Sequence, residues 1–248
     1  MKKTILLMMS FFLLVSLGFA QEKKYEMYEM QYMKPKNDKL KELNAAMANH
    51  NKKYHSTGPY SAHVWLAETG PHTGEWCWVM GPCTFTELDS RPDSKEHTED
   101  WMYNVMPYVE SVSDGEYWKL DDKLNYSPEG SFSGKEVWTV YNLKPYEGYR
   151  FTVLCEKVME VYKKKNYPEY FRVYRTQFSS DSGRDIAIGF GFKNWAYFDQ
   201  EDTFWKDYEE IHGEGSKWKF TEEYREIVES SFEEVSTLIP ELSGPEKK

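Results

Sequence analysis

The feature that most constrains this chain is a pattern written twice. An alternating, aromatic-rich run from Tyr25 to Met33 ends at Lys34-Pro35, and a second from Val137 to Leu143 ends at Lys144-Pro145, 110 residues later. After each Lys-Pro, selected residues recur at three- and four-residue steps. They are Leu40, Leu43, Met47, His50 and Tyr54 in the first copy, and Phe151, Leu154, Val158, Val161 and Lys165 in the second. Strict alternation belongs to a strand and the three-four spacing to one face of a helix, so each copy opens strand then helix, with that face buried. Asn37 or Asp38 is the expected N-cap of the first helix.

Two further alternating runs follow in each copy. They are Ser61 to Glu68 and Glu75 to Met80 in the first, and Phe171 to Phe178 and Arg184 to Phe192 in the second. The Gly- and Ser-rich joints between them predict hairpins. A helix then follows in the first copy, marked by Trp101, Val105, Tyr108 or Val109, and Val112, with Asp93 or Ser94 as cap. The second copy predicts one helix through Phe204, Trp205, Tyr208 and Ile211, a break at Gly213 to Ser216, and another carrying Tyr224, Ile227, Val228, Phe232 and Val235. Short closing strands are expected at Glu116 to Leu120 and near Val235 to Ile239. Each copy reads β-α-β-β-α-β, and the predicted fold is α+β: two tandem ferredoxin-like units in one chain. Helices cover one face of each sheet, and the two remaining apolar faces are expected to meet.

The expected boundaries are a signal peptide over 1–20, a first unit over 21–120, a linker over 121–134, a second unit over 135–240 and a polar tail over 241–248. Lys2 and Lys3 precede an almost wholly apolar run from Ile5 to Phe19, and Gly18 and Ala20 are the small residues a cleavage site requires. The run is short for a membrane span. The expectation is an exported chain, periplasmic or secreted, with no membrane span after cleavage. Cleavage removes two lysines and no acid, taking the formal charge from −10 to −12. Such a balance argues against nucleic acid as a partner, because phosphate binding needs clustered Lys and Arg. Cys77, Cys83 and Cys155 are an odd set and read as small buried hydrophobes.

This element order, together with the starts Met33-Lys34-Pro35 and Leu143-Lys144-Pro145, resembles the dimeric α+β barrel superfamily. That group includes cofactor-free antibiotic-biosynthesis monooxygenases, haem-degrading monooxygenases, chlorite-dismutase-like haem proteins and NIPSNAP-like domains. The resemblance covers most of residues 25 to 240. It implies that the two units close a barrel within one chain, with small-molecule pockets between each sheet and its helices. It carries no catalytic signature, so activity must be argued from the site.

His63 and Trp65 share one face of a strand, and the corresponding face of the second copy is read as Val173, Arg175 and Gln177. Such a face either orients a ligand or forms a hydrogen-bonded core network. His63 and His50 are the candidate general bases. Trp65, Arg175, Gln177, Tyr28 and Tyr141 are the candidate ligand-binding residues. His50 interrupts an apolar helical stripe, where it is a base, an axial haem ligand or a satisfied core residue; His97, one turn before Trp101, carries the same readings. His212 ends a helix, where a cation suits the dipole; the haem alternative makes it the axial ligand.

No metal site is expected, because His50 and His55 stand five apart rather than the four that align two ligands on a helix. Gly189 and Gly191 mark a strand face that something approaches closely: the facing sheet or a flat ligand. The functional expectation is binding of a small apolar or aromatic molecule in a sheet–helix pocket, without a cofactor. The alternatives are an oxidoreductase of the monooxygenase or haem-using kind, and a non-catalytic interaction module.

Overall fold

A computed structural model describes residues 25–178 and 184–245. The expected signal peptide and the tip of the second hairpin lie outside the described residues.

The first half contains β1 (Met27–Pro35), α1 (Leu40–Tyr54), β2 (Ala62–Ala67), β3 (Trp76–Cys83), two short helices α2 (Phe85–Asp89) and α3 (Lys95–Asp100), β4 (Val109–Val112) and β5 (Glu116–Tyr126). The second contains β6 (Lys135–Leu143), α4 (Gly148–Lys165), β7 (Phe171–Thr176), β8 (Ile186–Gly191), α5 (Phe204–His212), α6 (Ser216–Ile227) and β9 (Val228–Leu238). All strand pairs are antiparallel, in the order β3-β2-β9-β6-β8-β7-β5-β1, and β1 pairs back onto β3. The result is an α+β fold with a closed eight-strand barrel, to which β4 adds at the end of β1. Closure removes the exposed edges that an open sheet presents. Within the halves the strand orders correspond, β2-β3-β1-β5 and β7-β8-β6-β9, and the seams are β5–β7 and β2–β9.

Three cores follow from the alternation of side chains. Leu43 and Met47 of α1 pack on Val64, Trp78 and Met80 outside the barrel. Phe151, Leu154 and Met159 of α4 pack on Phe171, Val173 and Ile186. The third core is the barrel interior, where Tyr32, Cys77, Trp118, Trp138, Val140, Tyr174 and Ala187 meet.

Several boundaries depart from the sequence reading. Helix α1 starts at Leu40 with Lys39 at the N-cap position and no side-chain cap, so neither Asn37 nor Asp38 serves. Ser94 does cap α3, accepting from the His97 amide. The helical stretch ends near Pro107, which lacks the amide a continuing helix needs, so Val109 and Val112 fall on β4. The expected helix through Val235 ends at Ile227, because Phe232, Glu234 and Ser236 alternate inward along β9. The connection between the halves begins six residues later than the expected 121: β5 runs to Tyr126, and Asn125 and Tyr126 pair with β7. The start of the expected polar tail is packed: Leu242 and Ser243 are buried, and Asn51 Nδ2 donates to the Leu242 carbonyl at 2.7 Å.

Candidate functional site

Inward-facing side chains do not fill the barrel completely. One end is plugged by ionic groups. Arg184 pairs with Glu116 and lies over the Phe232 ring at 5.1 Å. The fully buried Glu234 carboxylate accepts from Tyr32 Oη at 2.6 Å and from the His72 backbone amide at 3.2 Å. Toward the other end lies a cavity of about 230 Å³.

Every strand of the barrel except β8 supplies a wall of this cavity, because inward residues of closed strands converge. Tyr28 and Met30 come from β1, His63 and Trp65 from β2, Val79 from β3, Trp118 from β5, Glu136 and Trp138 from β6, Arg172 and Tyr174 from β7, and Ser236 from β9. Phe132, in the loop before β6, meets Trp65 edge-on at 6.0 Å. Trp138 lies 5.0 Å from Tyr174 and 5.8 Å from Trp118, ring to ring. The apolar walls are therefore mostly aromatic.

Few polar groups interrupt them. Glu136 is held at the wall by Tyr170 Oη, which donates to Oε2 at 2.6 Å. Burial pushes the Glu136 carboxyl above its ordinary value, against the opposing pull of Tyr170 and Arg172. Burial also lowers His63, which favours its neutral form. Arg172 is anchored by Ser127 at 2.8 Å and lies 4.5 Å over the Tyr170 ring. The Trp138 indole nitrogen is buried with no hydrogen-bond partner.

The approach predicted at Gly189 and Gly191 is made by a side chain of the same half. A β-carbon on Gly191 would sit 2.2 Å from Tyr170 Cε1, so the glycine is what admits that ring.

The structure brings His63, Trp65 and Tyr28 together in the cavity. It does not bring Arg175, Gln177, Tyr141 or His212 there. Arg175 lies on the helix side of β7, bonded to Asp121 at 2.9 Å and to Thr152 of α4 at 2.8 Å. Gln177 donates to the Arg175 carbonyl. Tyr141 packs against Phe151 and Tyr224 on the outside of β6. The physical reason is register. The repeat offset is 110 residues at the Lys-Pro starts, but β2 begins at Ala62 and β7 at Phe171, an offset of 109. One residue exchanges the two faces of a strand. His63 and Trp65 thus correspond to Arg172 and Tyr174, which the sequence reading missed. Glu136 and Tyr170 were missed as well; the Gly191 signal pointed to the contact but not to its occupant.

His50 belongs to a second cavity, of about 460 Å³, between α1, α3 and the outer face of the first half's strands. The side chain is fully buried, and Nδ1 lies 2.7 Å from Asp100 Oδ2. His55 and His97 line the same space, and these three histidines are the group among the described residues whose donor atoms could hold a metal. Sequence spacing missed this because His55 is not on the helix: it is the residue after Tyr54, at the C-cap, where the chain has turned back.

The haem implied by the superfamily resemblance does not fit these residues. His50 is enclosed by the rings of Tyr54, His55, His97 and Trp101, all within 5.3 Å, and its unpartnered Nε2 is buried among these rings rather than open to a macrocycle. His212 faces the Lys157 carbonyl at 3.1 Å and packs on Tyr208, while Phe151, Leu154 and Tyr162 fill the sheet–helix layer of that half.

No family model matches the chain, and no curated protein does. Solved structures do. The chain is similar to an anthrone oxidase-like protein, with a TM-score of 0.56 and 11% identity over 92% of this chain and 96% of that one. It is also similar to a protein provisionally described as a monooxygenase from Lactobacillus acidophilus NCFM, with a TM-score of 0.54 and 10% identity over 87% and 94%. A third is a chlorite dismutase from Candidatus Nitrospira defluvii, with a TM-score of 0.54 and 10% identity over 88% and 93%. At such identities the likeness shows the fold: these neighbours are dimeric α+β barrel proteins.

Proposed function

We propose that this protein binds one small aromatic molecule inside its barrel. The observation that carries the reading is the 230 Å³ cavity walled by Tyr28, Trp65, Trp118, Trp138 and Tyr174, with Glu136, His63 and Arg172 as its polar groups. An apolar cavity of about 150 Å³ suffices for benzene, so this one has room for a substituted ring. Apolar walls with a few placed polar groups are the usual make-up of a ligand site. The occupant is a planar, neutral or weakly acidic ring, because a buried carboxyl held toward its protonated form can donate a hydrogen bond.

In the same reading the chain is exported after loss of residues 1–20, and its halves are tandem ferredoxin-like copies, a view supported by their matching strand orders. No helix among the described residues is long and apolar enough to cross a membrane.

The test is calorimetric titration with indole. One site per chain is expected, with a negative heat-capacity change from buried apolar surface. Val79→Phe, which fills the cavity from β3, should weaken binding at least tenfold. Equal affinity in that variant would remove the barrel interior as the site.

A second reading rests on Glu136. In its ionised form the Glu136 carboxylate, at the cavity wall, is placed to take a phenolic proton from an aromatic ligand. It predicts oxygen uptake with an activated phenol, lost in Glu136→Gln and reduced in His63→Ala. Unchanged uptake in both variants would clear them of that role.

A further inference from the structure

We propose that His50, His55 and His97 bind one divalent first-row transition-metal ion of the zinc class, in the cavity between α1, α3 and the sheet. The ligand atoms of the three residues all lie within 4.8 Å of one another. His55 Nε2 and His97 Nε2 are 3.2 Å apart. A tetrahedral ion with Zn–N bonds of about 2.0–2.1 Å holds its nitrogens about 3.3–3.4 Å apart, so this edge of the site is already at coordination spacing.

A second observation points independently to an ion. His50 Nε2 is buried with no hydrogen-bond partner. An unsatisfied buried polar atom is destabilising, and native structures keep few without a reason. A bound ion would satisfy it.

The far sides of the rings are arranged as metal ligands require. His50 Nδ1 is held by Asp100, whose other oxygen accepts from Asn104 at 2.7 Å. His55 Nδ1 is held by the Tyr60 carbonyl at 2.8 Å. Such outer partners fix the tautomer and turn the remaining nitrogen toward the ion.

The backbone at His55 is held by hydrogen bonds on both of its polar groups. The His55 amide donates to Asn51, and the Ala62 amide donates to the His55 carbonyl. Three neutral imidazoles select zinc, copper, nickel or iron over magnesium and calcium, which want oxygen. Three protein ligands leave a fourth position for water or another small molecule, opening on the cavity beside Trp101 and Arg91.

The experiment uses the protein without a histidine tag, stripped with chelator and titrated with Zn2+ by calorimetry and with Co2+ by visible absorption. One ion per chain and tetrahedral Co2+ bands are expected. Both should be lost in His97→Ala, whose ring is the most exposed of the three, and kept in His72→Ala. Asp100→Asn, which retains the ligands, should weaken Zn2+ by roughly 10- to 100-fold. Thermal melts in chelator check that each variant folds. Absence of stoichiometric binding, or binding unchanged in both His97→Ala and Asp100→Asn, would overturn the assignment.

Discussion

Gly191→Ala is the sharpest probe of how the barrel cavity is built. The added β-carbon would lie 2.2 Å from Cε1, 2.7 Å from Cδ1 and 2.8 Å from Cζ of Tyr170. Carbon atoms in contact prefer about 3.5–4.0 Å, so the ring must move by more than 1 Å. It has little freedom to do so, being 1% exposed with its hydroxyl fixed to Glu136 at 2.6 Å. Overpacking of this kind costs roughly 1–3 kcal/mol. A lost hydrogen bond adds roughly 0.5–1.5 kcal/mol. The expected total is about 1.5–4.5 kcal/mol, which lowers the melting temperature by roughly 3–18 °C in a chain of this size. The displaced ring can swing only toward the cavity or outward, so indole affinity should fall with stability. The assay is urea denaturation of Gly191→Ala in the native background and in Tyr170→Ala. Without the ring, the glycine substitution should cost less than about 0.5 kcal/mol, giving a large coupling energy. Additive costs in the two backgrounds would refute the assigned contact.

Two other perturbations follow from the same geometry. Glu136 takes up its proton more readily in the folded chain than its ordinary value of 4.5 allows, so native stability should decline as pH rises from about 4.5 through its folded value; Glu136→Gln should remove that decline, and urea midpoints showing no larger gain at pH 7 than at pH 4 would contradict it. Cys77, Cys83 and Cys155 are each at most 3% exposed and unpaired, with burial raising Cys83 to about 11 and Cys155 to about 12; none should react with a thiol reagent at pH 8 until denaturant is added, after which all three should.

The strands were legible because they alternate strongly, and the first helix in each half because it keeps a three-four stripe; the closed barrel came from the superfamily resemblance. Leu43 and Met47, and Phe151 and Leu154, are buried where that stripe puts them. Which face of each strand turned inward was less legible. Phe171, Arg172, Val173, Tyr174 and Arg175 carry large side chains on both faces, since one packs on helices and the other lines the barrel. Alternation alone cannot rank two such faces, and the one-residue change in repeat offset selected the wrong one for Arg175 and Gln177. The three-histidine cluster was hidden for a different reason. Its members come from a helix, a helix end and a separate short helix, so no local spacing encodes their meeting. Helix α6 ran on in the sequence reading because Ile227 and Val228 satisfy both periods at the point where α6 gives way to β9.

The central claim is that an aromatic molecule sits within the barrel. It is tested most directly by a crystal structure of the protein with 4-bromophenol, located by the anomalous signal of bromine. One bromine site is expected between the β1, β2 and β7 walls, within contact distance of Tyr28, Trp65 and Tyr174. A saturated crystal whose bromine lies only outside the barrel would contradict it.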